Sequence, residues 1–360
     1  MNDQMITYKR TIKKISTRFK DRLMKKVLIL NILFILGLLN GNAQEPQGEI
    51  KWLIDTCVVV MKSRAVTTSK INWAELKEEA LKKASSAKTP YELGPAIKFL
   101  YQSIGDFHGR FFYKDSSWQW EPHPFVISDS IMSEWKKGVK TTTIVLPKQI
   151  GYLRVPSMPY PEQPEADKAA QALNDSLCSL LQRNVKGIIL DLRLDGGGNF
   201  APMISGTSQL FEDGKLGSFV DARGKITNWY LGQNKFRVDT QTRGTIVPKC
   251  NEIATRLPVV VLIGPGTGSS GEFFLMALRG RKNTVLLGSK TAGYVTSVEG
   301  FAIGDGAYIL LSTGFGLDKK GKVYKEAIVP DIENNEPDQF NNLDGDPKIK
   351  QAVEWISKRL

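Results

Sequence analysis

The chain has 360 residues, of which 41% are hydrophobic, 24% charged and 9% aromatic, with 32 Gly and 17 Pro. This ordinary globular composition excludes collagen, coiled coil, a disulfide-dense miniprotein and a largely disordered chain, and the length allows one large or two modest domains with a real core. The net charge of +12 is not a nucleic-acid signature: residues 1–43 hold nine Lys/Arg against two acids, and the rest of the chain carries only +5.

The first element explains that local charge. Met24-Lys25-Lys26 leads into an apolar run over 27–39, broken only by Asn31, followed by Asn40-Gly41-Asn42-Ala43-Gln44. A short basic segment, a hydrophobic stretch and small residues predict a signal peptide over 1–43, cleaved after Ala43, with Met24 sufficient as a start. The apolar stretch is shorter than the roughly 20 residues a bilayer span needs, so no stable membrane span is expected after cleavage, an uncleaved anchor being the alternative. The predicted location is therefore periplasmic or extracellular. Cys57, Cys178 and Cys250 have no metal or redox spacing and are read as buried apolar fillers, although an exported chain could pair two of them.

Residues 44–115 read as a small helical domain. Trp73, Leu76, Ala80 and Leu81 recur at helical spacing, and Leu93, Ile97, Leu100, Tyr101 and Ile104 share one face of a second helix. Residues 116–149 are Trp-rich and irregular, and are expected to form a connecting segment of strand and loop. From residue 150 to the C-terminus strands and helices alternate. Strands are expected at 150–155, 185–192, 217–247, 257–263 and 285–287, and helices at 164–184, 201–210 and 271–278. A terminal helix is expected after Asp346-Pro347. Continuous apolar strands between helices imply an α/β core.

Two glycine-rich segments carry the candidate chemistry. Asp191-Leu192-Arg193-Leu194-Asp195-Gly196-Gly197-Gly198-Asn199 follows a buried strand, where it reads either as a turn locked by an Asp–Arg pair or as a loop presenting bare N–H groups. Gly264-Pro265-Gly266-Thr267-Gly268-Ser269-Ser270-Gly271-Glu272 joins the most apolar strand to a helix. It matches G-x-G-x-x-G, so a dinucleotide site is one reading, but the strand that follows ends in Gly288-Ser289-Lys290 rather than in a ribose-binding acid. The rival reading puts a serine nucleophile at the strand-to-helix turn, where neighbouring N–H groups can hold an oxyanion. A serine needs a base, and the chain has two histidines. His108, in Asp106-Phe107-His108-Gly109 after a helix, suits a presented group; His123, between Pro122 and Pro124, reads as a fixed loop residue.

Gly151-Tyr152-Leu153-Arg154-Val155-Pro156, the DLRLDGGGN segment, TGSSGE, Thr291-Ala292-Gly293 and Ile328-Val329-Pro330-Asp331 occur in this order. Together they resemble the C-terminal-processing (tail-specific) serine peptidases, including tricorn and the interphotoreceptor retinoid-binding proteins. The resemblance implies a crotonase-like spiral of ββα units over 150–360. The tail-specific branch carries a lysine one position after its T-x-G glycine, where this chain has Tyr294. The 42 residues between His108 and Gly151 are too few for that branch's PDZ module. The tricorn-like branch instead takes a histidine from a D-x-H context and a glutamate before a G-V-x-P-D-like motif, which places His108 and Glu326 in those roles; Phe107 departs from tricorn's serine.

The resemblance thus implies an exported serine peptidase acting on peptide or protein substrates. Ser269 is the nucleophile (Ser270 competing), His108 the base and Glu326 its orienter. The oxyanion would sit on the N–H of Ser270 and of Gly197 or Gly198. No cofactor, metal or nucleic-acid partner is implied. The alternative from a different class is a peptidase-like protein that binds a peptide or apolar ligand without cleaving it.

Overall fold

The computed structural model describes residues 46–68, 70–122, 127–304 and 306–360, so the expected leader and His123 lie outside the described residues. Within them the chain forms two compact units, one of residues 46–63, 68–120 and 300–311, the other of residues 64–67, 121–299 and 312–360.

The first unit begins with three helices. α1 (Pro46–Arg64) buries Ile50, Leu53, Ile54, Cys57, Val58 and Met61, the i, i+3, i+4 stripe of an amphipathic helix. α2 (Trp73–Lys83) starts at Asn72, whose side chain accepts the Glu75 N–H, and α3 (Gly94–Ser103) buries Ala96, Ile97, Leu100 and Tyr101. Gly94 has to be glycine: a Cβ there would stand 2.7 Å from the Trp118 indole. Strands β1 (Arg110–Tyr113) and β2 (Ser116–Trp118) pair antiparallel, and β1 pairs on its other side with residues 307–310.

The second unit is an α/β layer structure. α4 (Asp129–Lys137) lies where the sequence pattern suggested only strand and loop; the Ser128 side chain accepts the Ile131 N–H and starts it. β3 (Thr142–Leu146), β4 (Ile150–Arg154), α5 (Gln163–Leu181), β5 (Gly187–Asp191), α6 (Phe200–Gly206), β6 (Gly214–Asp221), β7 (Ile226–Gly232), β8 (Lys235–Val238), β9 (Gln241–Thr245), β10 (Val259–Ile263), α7 (Ser270–Leu278) and β11 (Thr284–Gly288) follow. β12 (Thr296–Ala302) and β13 (Ala307–Asp318), two strands the sequence pattern did not announce, precede β14 (Ile332–Glu333) and α8 (Pro347–Ser357).

β14, β11, β10, β5 and β4 run parallel in that order, with β3 as an antiparallel edge. The apolar strands are continuous because both faces are covered. Ile188, Leu190, Val259, Val261 and Ile263 join the core built with α5, α6 and α7, while Ile189, Val260 and Leu262 join the one containing Ile349, Ala352 and Ile356 of α8. A second, antiparallel array runs β6–β7–β8–β9, with residues 314–318 of β13 paired to β6.

Candidate active site

Ser269 is the turn residue between β10 and α7. It holds φ 52°, ψ −118°, a left-handed backbone setting that a residue with a Cβ adopts only under constraint from its surroundings. Those surroundings are explicit. All nine residues of α7 are buried, so the helix start cannot shift to relieve the turn. Thr267 donates its hydroxyl to Leu192 O at 2.8 Å, and the Gly268 N–H donates to Asp195 O at 2.9 Å, tying the turn to the loop after β5.

The glycines of this turn serve packing, Gly266 and Gly271 against that loop and Gly268 against the segment after β11. A Cβ on Gly266 would stand 2.2 Å from Arg193 O, one on Gly268 3.2 Å from Ala292 Cβ, and one on Gly271 2.8 Å from Asp195 O. The space a pyrophosphate would occupy beside such glycines is filled by protein, which removes the dinucleotide reading.

The loop after β5 approaches the serine from its other side. Gly197 and Gly198 hold φ of +108° and +114°, and a Cβ on Gly197 would lie 2.8 Å from Ser269 Cβ and 3.0 Å from Ser270 N. The Gly197 N–H donates to Asp195 Oδ1 at 3.0 Å. Among the described residues no acceptor takes the N–H of Gly198 or of Ser270, the first helical residue of α7. Of the two glycines considered as oxyanion donors, Gly198 is therefore the one with an open N–H. The Ser270 hydroxyl donates to Gly198 O at 2.8 Å, which holds this loop to the helix start.

Glu272 is the functional-site residue that the sequence reading used only as a spacing marker. Its carboxylate is fully buried and accepts the Ser269 N–H, the Gly293 N–H (both at 2.9 Å), the Thr291 hydroxyl and the Tyr294 N–H. Burial pushes its carboxyl up to about 7 while these hydrogen bonds work against the rise. One side chain thus joins the Ser269 turn to the Thr291-Ala292-Gly293 loop, and Thr291 in turn accepts the Ile328 N–H at 2.8 Å. The S-x-x-E spacing at a helix start, the capping-box signature, was the available signal.

The Asp191–Arg193 pair takes the structural reading of its segment. Arg193 is fully buried and reaches Asp191 through Nε and Nη2, and Asp338 and Asp346 at 2.7 Å each. Tyr152 donates to Asp191 at 2.6 Å, and the Phe340 ring lies 4.9 Å from the guanidinium. Burial works to raise the Asp191 carboxyl, but Arg193 holds it down at about 2. The cluster anchors the C-terminal region to the end of β5, and with it the start of the glycine loop.

In the first unit Asp106 is buried and its Oδ1 accepts the N–H of His108 (3.0 Å) and of Gly109 (2.7 Å). This side-chain turn fixes the backbone of the half-buried His108. A Cβ on Gly109 would strike Tyr101 and Asp106, which explains the glycine. Glu326 is exposed in the second unit, two residues before Ile328. The cysteine expectation is corrected in part: Cys178 and Cys250 form a disulfide across 72 residues, joining α5 to the segment before β10, whereas Cys57 is a buried thiol.

Residues 149–334 match the model of peptidase family S41. The chain belongs to peptidase family S41. It is 26% identical over 337 residues to the nisin-resistance protein of Lactococcus lactis subsp. lactis, covering 92% of this chain and 95% of that protein. It is 29% identical over 191 residues to the carboxy-terminal processing protease CtpA of Bacillus subtilis, covering 52% of this chain and 37% of CtpA. Among solved structures, a lipoprotein from Streptococcus agalactiae superposes with a TM-score of 0.64 at 20% identity, over 86% of this chain and 97% of that one, which is a likeness of fold. This S41 member has an α/β core, and its relatives include C-terminal processing peptidases.

Proposed function

We propose that this S41 protein is an exported serine peptidase that cleaves peptide bonds in peptide or protein substrates through an acyl-enzyme. The observation that carries the reading is Ser269: a constrained left-handed residue at the start of a fully buried helix, flanked by the open N–H groups of Ser270 and Gly198. Ser269 Oγ attacks the scissile carbonyl, and the oxyanion settles on those two N–H groups. His108 takes the serine proton and returns it to the leaving amine, and Glu326 orients the imidazole; both roles are carried over from the sequence motifs. Tyr294, standing where the tail-specific branch has lysine, supports a base from elsewhere in the chain. Ser270 is the weaker nucleophile candidate because its hydroxyl is engaged with Gly198 O. The core is read as a crotonase-like spiral without a PDZ module. Export is supported by the leader pattern and by a disulfide, which persists in oxidising compartments.

Fluorophosphonate labelling with peptide mapping tests this reading. Label on Ser269 that is abolished in Ser269→Ala, retained in Ser270→Ala and slowed by orders of magnitude in His108→Ala is the expected outcome. Label on Ser270 would move the nucleophile. Absence of label together with tight ligand binding would make the chain a peptidase-like binding protein instead.

A further inference from the structure

Asp195 is a fully buried acid that the proposed chemistry does not use. Its main chain donates to Leu192 O and accepts the Gly268 N–H, each at 2.9 Å, and its Oδ1 accepts the Gly197 N–H at 3.0 Å. A Cβ on Gly271 would lie 3.1 Å from its carboxyl carbon, so the acid is wedged against the first turn of α7. Asp195 therefore touches the nucleophile turn, the helix start and the glycine loop at once. Its second oxygen, Oδ2, is buried with no hydrogen-bond partner among the described residues. An orphaned buried oxygen ordinarily costs about 1–3 kcal/mol, and an apolar side chain there would avoid it.

We propose that Asp195 is a positioning residue for catalysis, setting the direction of the Gly198 N–H through its hydrogen bond to the neighbouring Gly197 N–H. Gly197 and Gly198 both have positive φ, and the peptide between them is held on one side by a short parallel bridge to Met158, whose N–H donates to Gly197 O at 2.9 Å and whose carbonyl accepts the Asn199 N–H at 2.8 Å. On its other side the loop is held by the Gly197 N–H, which donates to the Asp195 carboxyl, and by the Ser270 hydroxyl, which donates to Gly198 O at 2.8 Å. Without the Asp195 bond the loop is held mainly from the Met158 side and can shift about that bridge, displacing the Gly198 N–H from the oxyanion. Burial raises the Asp195 carboxyl well above the ordinary carboxylate range, favouring its neutral form. A neutral acid beside the oxyanion adds no repulsion, and asparagine then matches it in both shape and charge.

The inference rests on the serine-peptidase reading, and the experiment separates the two. Wild type, Asp195→Asn and Asp195→Leu are compared for kcat and KM on a peptide substrate and for the rate of fluorophosphonate labelling, with activity normalised to the labelled fraction. Asparagine keeps the acceptor, so kcat should stay within about threefold of wild type. Leucine keeps the branched shape, is somewhat bulkier and has no acceptor, so kcat and labelling rate should fall about 10²–10³-fold, as for loss of one oxyanion donor, with KM changed less than threefold. A leucine variant with kcat within threefold of wild type overturns the proposal. So does an asparagine variant whose kcat falls more than tenfold, and this arm decides the matter if the leucine variant does not fold. Wild type that neither labels nor cleaves overturns the peptidase reading itself, and the inference with it.

Discussion

Replacing Gly197 by alanine tests whether the glycine loop sets the position of Ser269, the proposed nucleophile. The new Cβ would lie 2.8 Å from Ser269 Cβ, 2.9 Å from Gly268 O and 3.0 Å from Ser270 N. Carbon atoms in contact prefer about 3.5–4.0 Å, so the loop and the serine must separate by roughly 0.7 Å or more. The helix start cannot retreat, because every residue of α7 is buried. At φ +108° alanine also carries backbone strain of about 1–3 kcal/mol, and overpacking adds a similar amount. A misplacement approaching 1 Å costs on the order of 10²-fold in rate. Peptide hydrolysis normalised to folded protein should therefore show kcat about 10²-fold lower, and thermal melts a clear loss of stability. Gly224→Ala is the control: it has φ +78° but no atom within 4 Å of the added Cβ, so it should lower stability by about 1–2 kcal/mol and leave kcat unchanged. Gly197→Ala with kcat within threefold of wild type would refute the close packing of the loop on the serine.

Three further outcomes follow from the buried groups. Glu272 has its carboxyl raised from 4.5 to about 7 in the folded state, so the folded chain binds a proton more tightly than the unfolded one; this contribution to stability is fully present below about pH 4.5 and is lost as pH rises towards 7. Urea melts should show up to about 3 kcal/mol of decline across that window, removed in Glu272→Gln, and an unchanged slope in the variant would refute the assignment. Arg193→Met leaves Asp191, Asp338 and Asp346 without their shared cation and should destabilise by about 3–5 kcal/mol in urea melts; a loss under 1 kcal/mol would make the cluster incidental. Opening the Cys178–Cys250 bridge, which closes a 72-residue separation, should lower stability by up to about 4 kcal/mol, and titration of the unfolded, unreduced chain should find one thiol, Cys57; three thiols would refute the pairing.

Much of the architecture was legible as local pattern. The strands at 150–154, 187–191 and 259–263, the stripe of α5 and the Asp346-Pro347 start of α8 follow from apolar runs and capping residues a few positions apart. The place of Ser269 at a strand-to-helix turn was legible for the same reason: a strand, a glycine turn and a helix are consecutive in the chain. α4 was missed although Ser128-Asp129 announces it, because Trp135 and the neighbouring prolines and tryptophans broke the apparent period. β13 was missed because Ser312, Thr313, Gly314 and Gly316 interrupt its apolar run, and pairing with β1 and β6 makes the strand.

Other features required distant segments to meet. Gly197 and Gly198 were equivalent candidates in the sequence, and the Asp195 carboxyl, by taking the Gly197 N–H, leaves Gly198 as the open donor. The G-x-G-x-x-G match fitted a cofactor until Arg193 O and Asp195 O were found filling the glycine faces some 70 residues earlier in the chain. Arg193 meets Asp338 and Asp346, about 150 residues away, and no local spacing encodes that pairing. Glu272 was visible as one acid on a helix; its role as the acceptor joining Ser269, Thr291, Gly293 and Tyr294 exists only once β10, α7 and the segment after β11 are folded together. Periodicity and caps act over a few residues and can be read along the chain, whereas burial, hydrogen-bond saturation and steric exclusion depend on which segments the fold brings into contact.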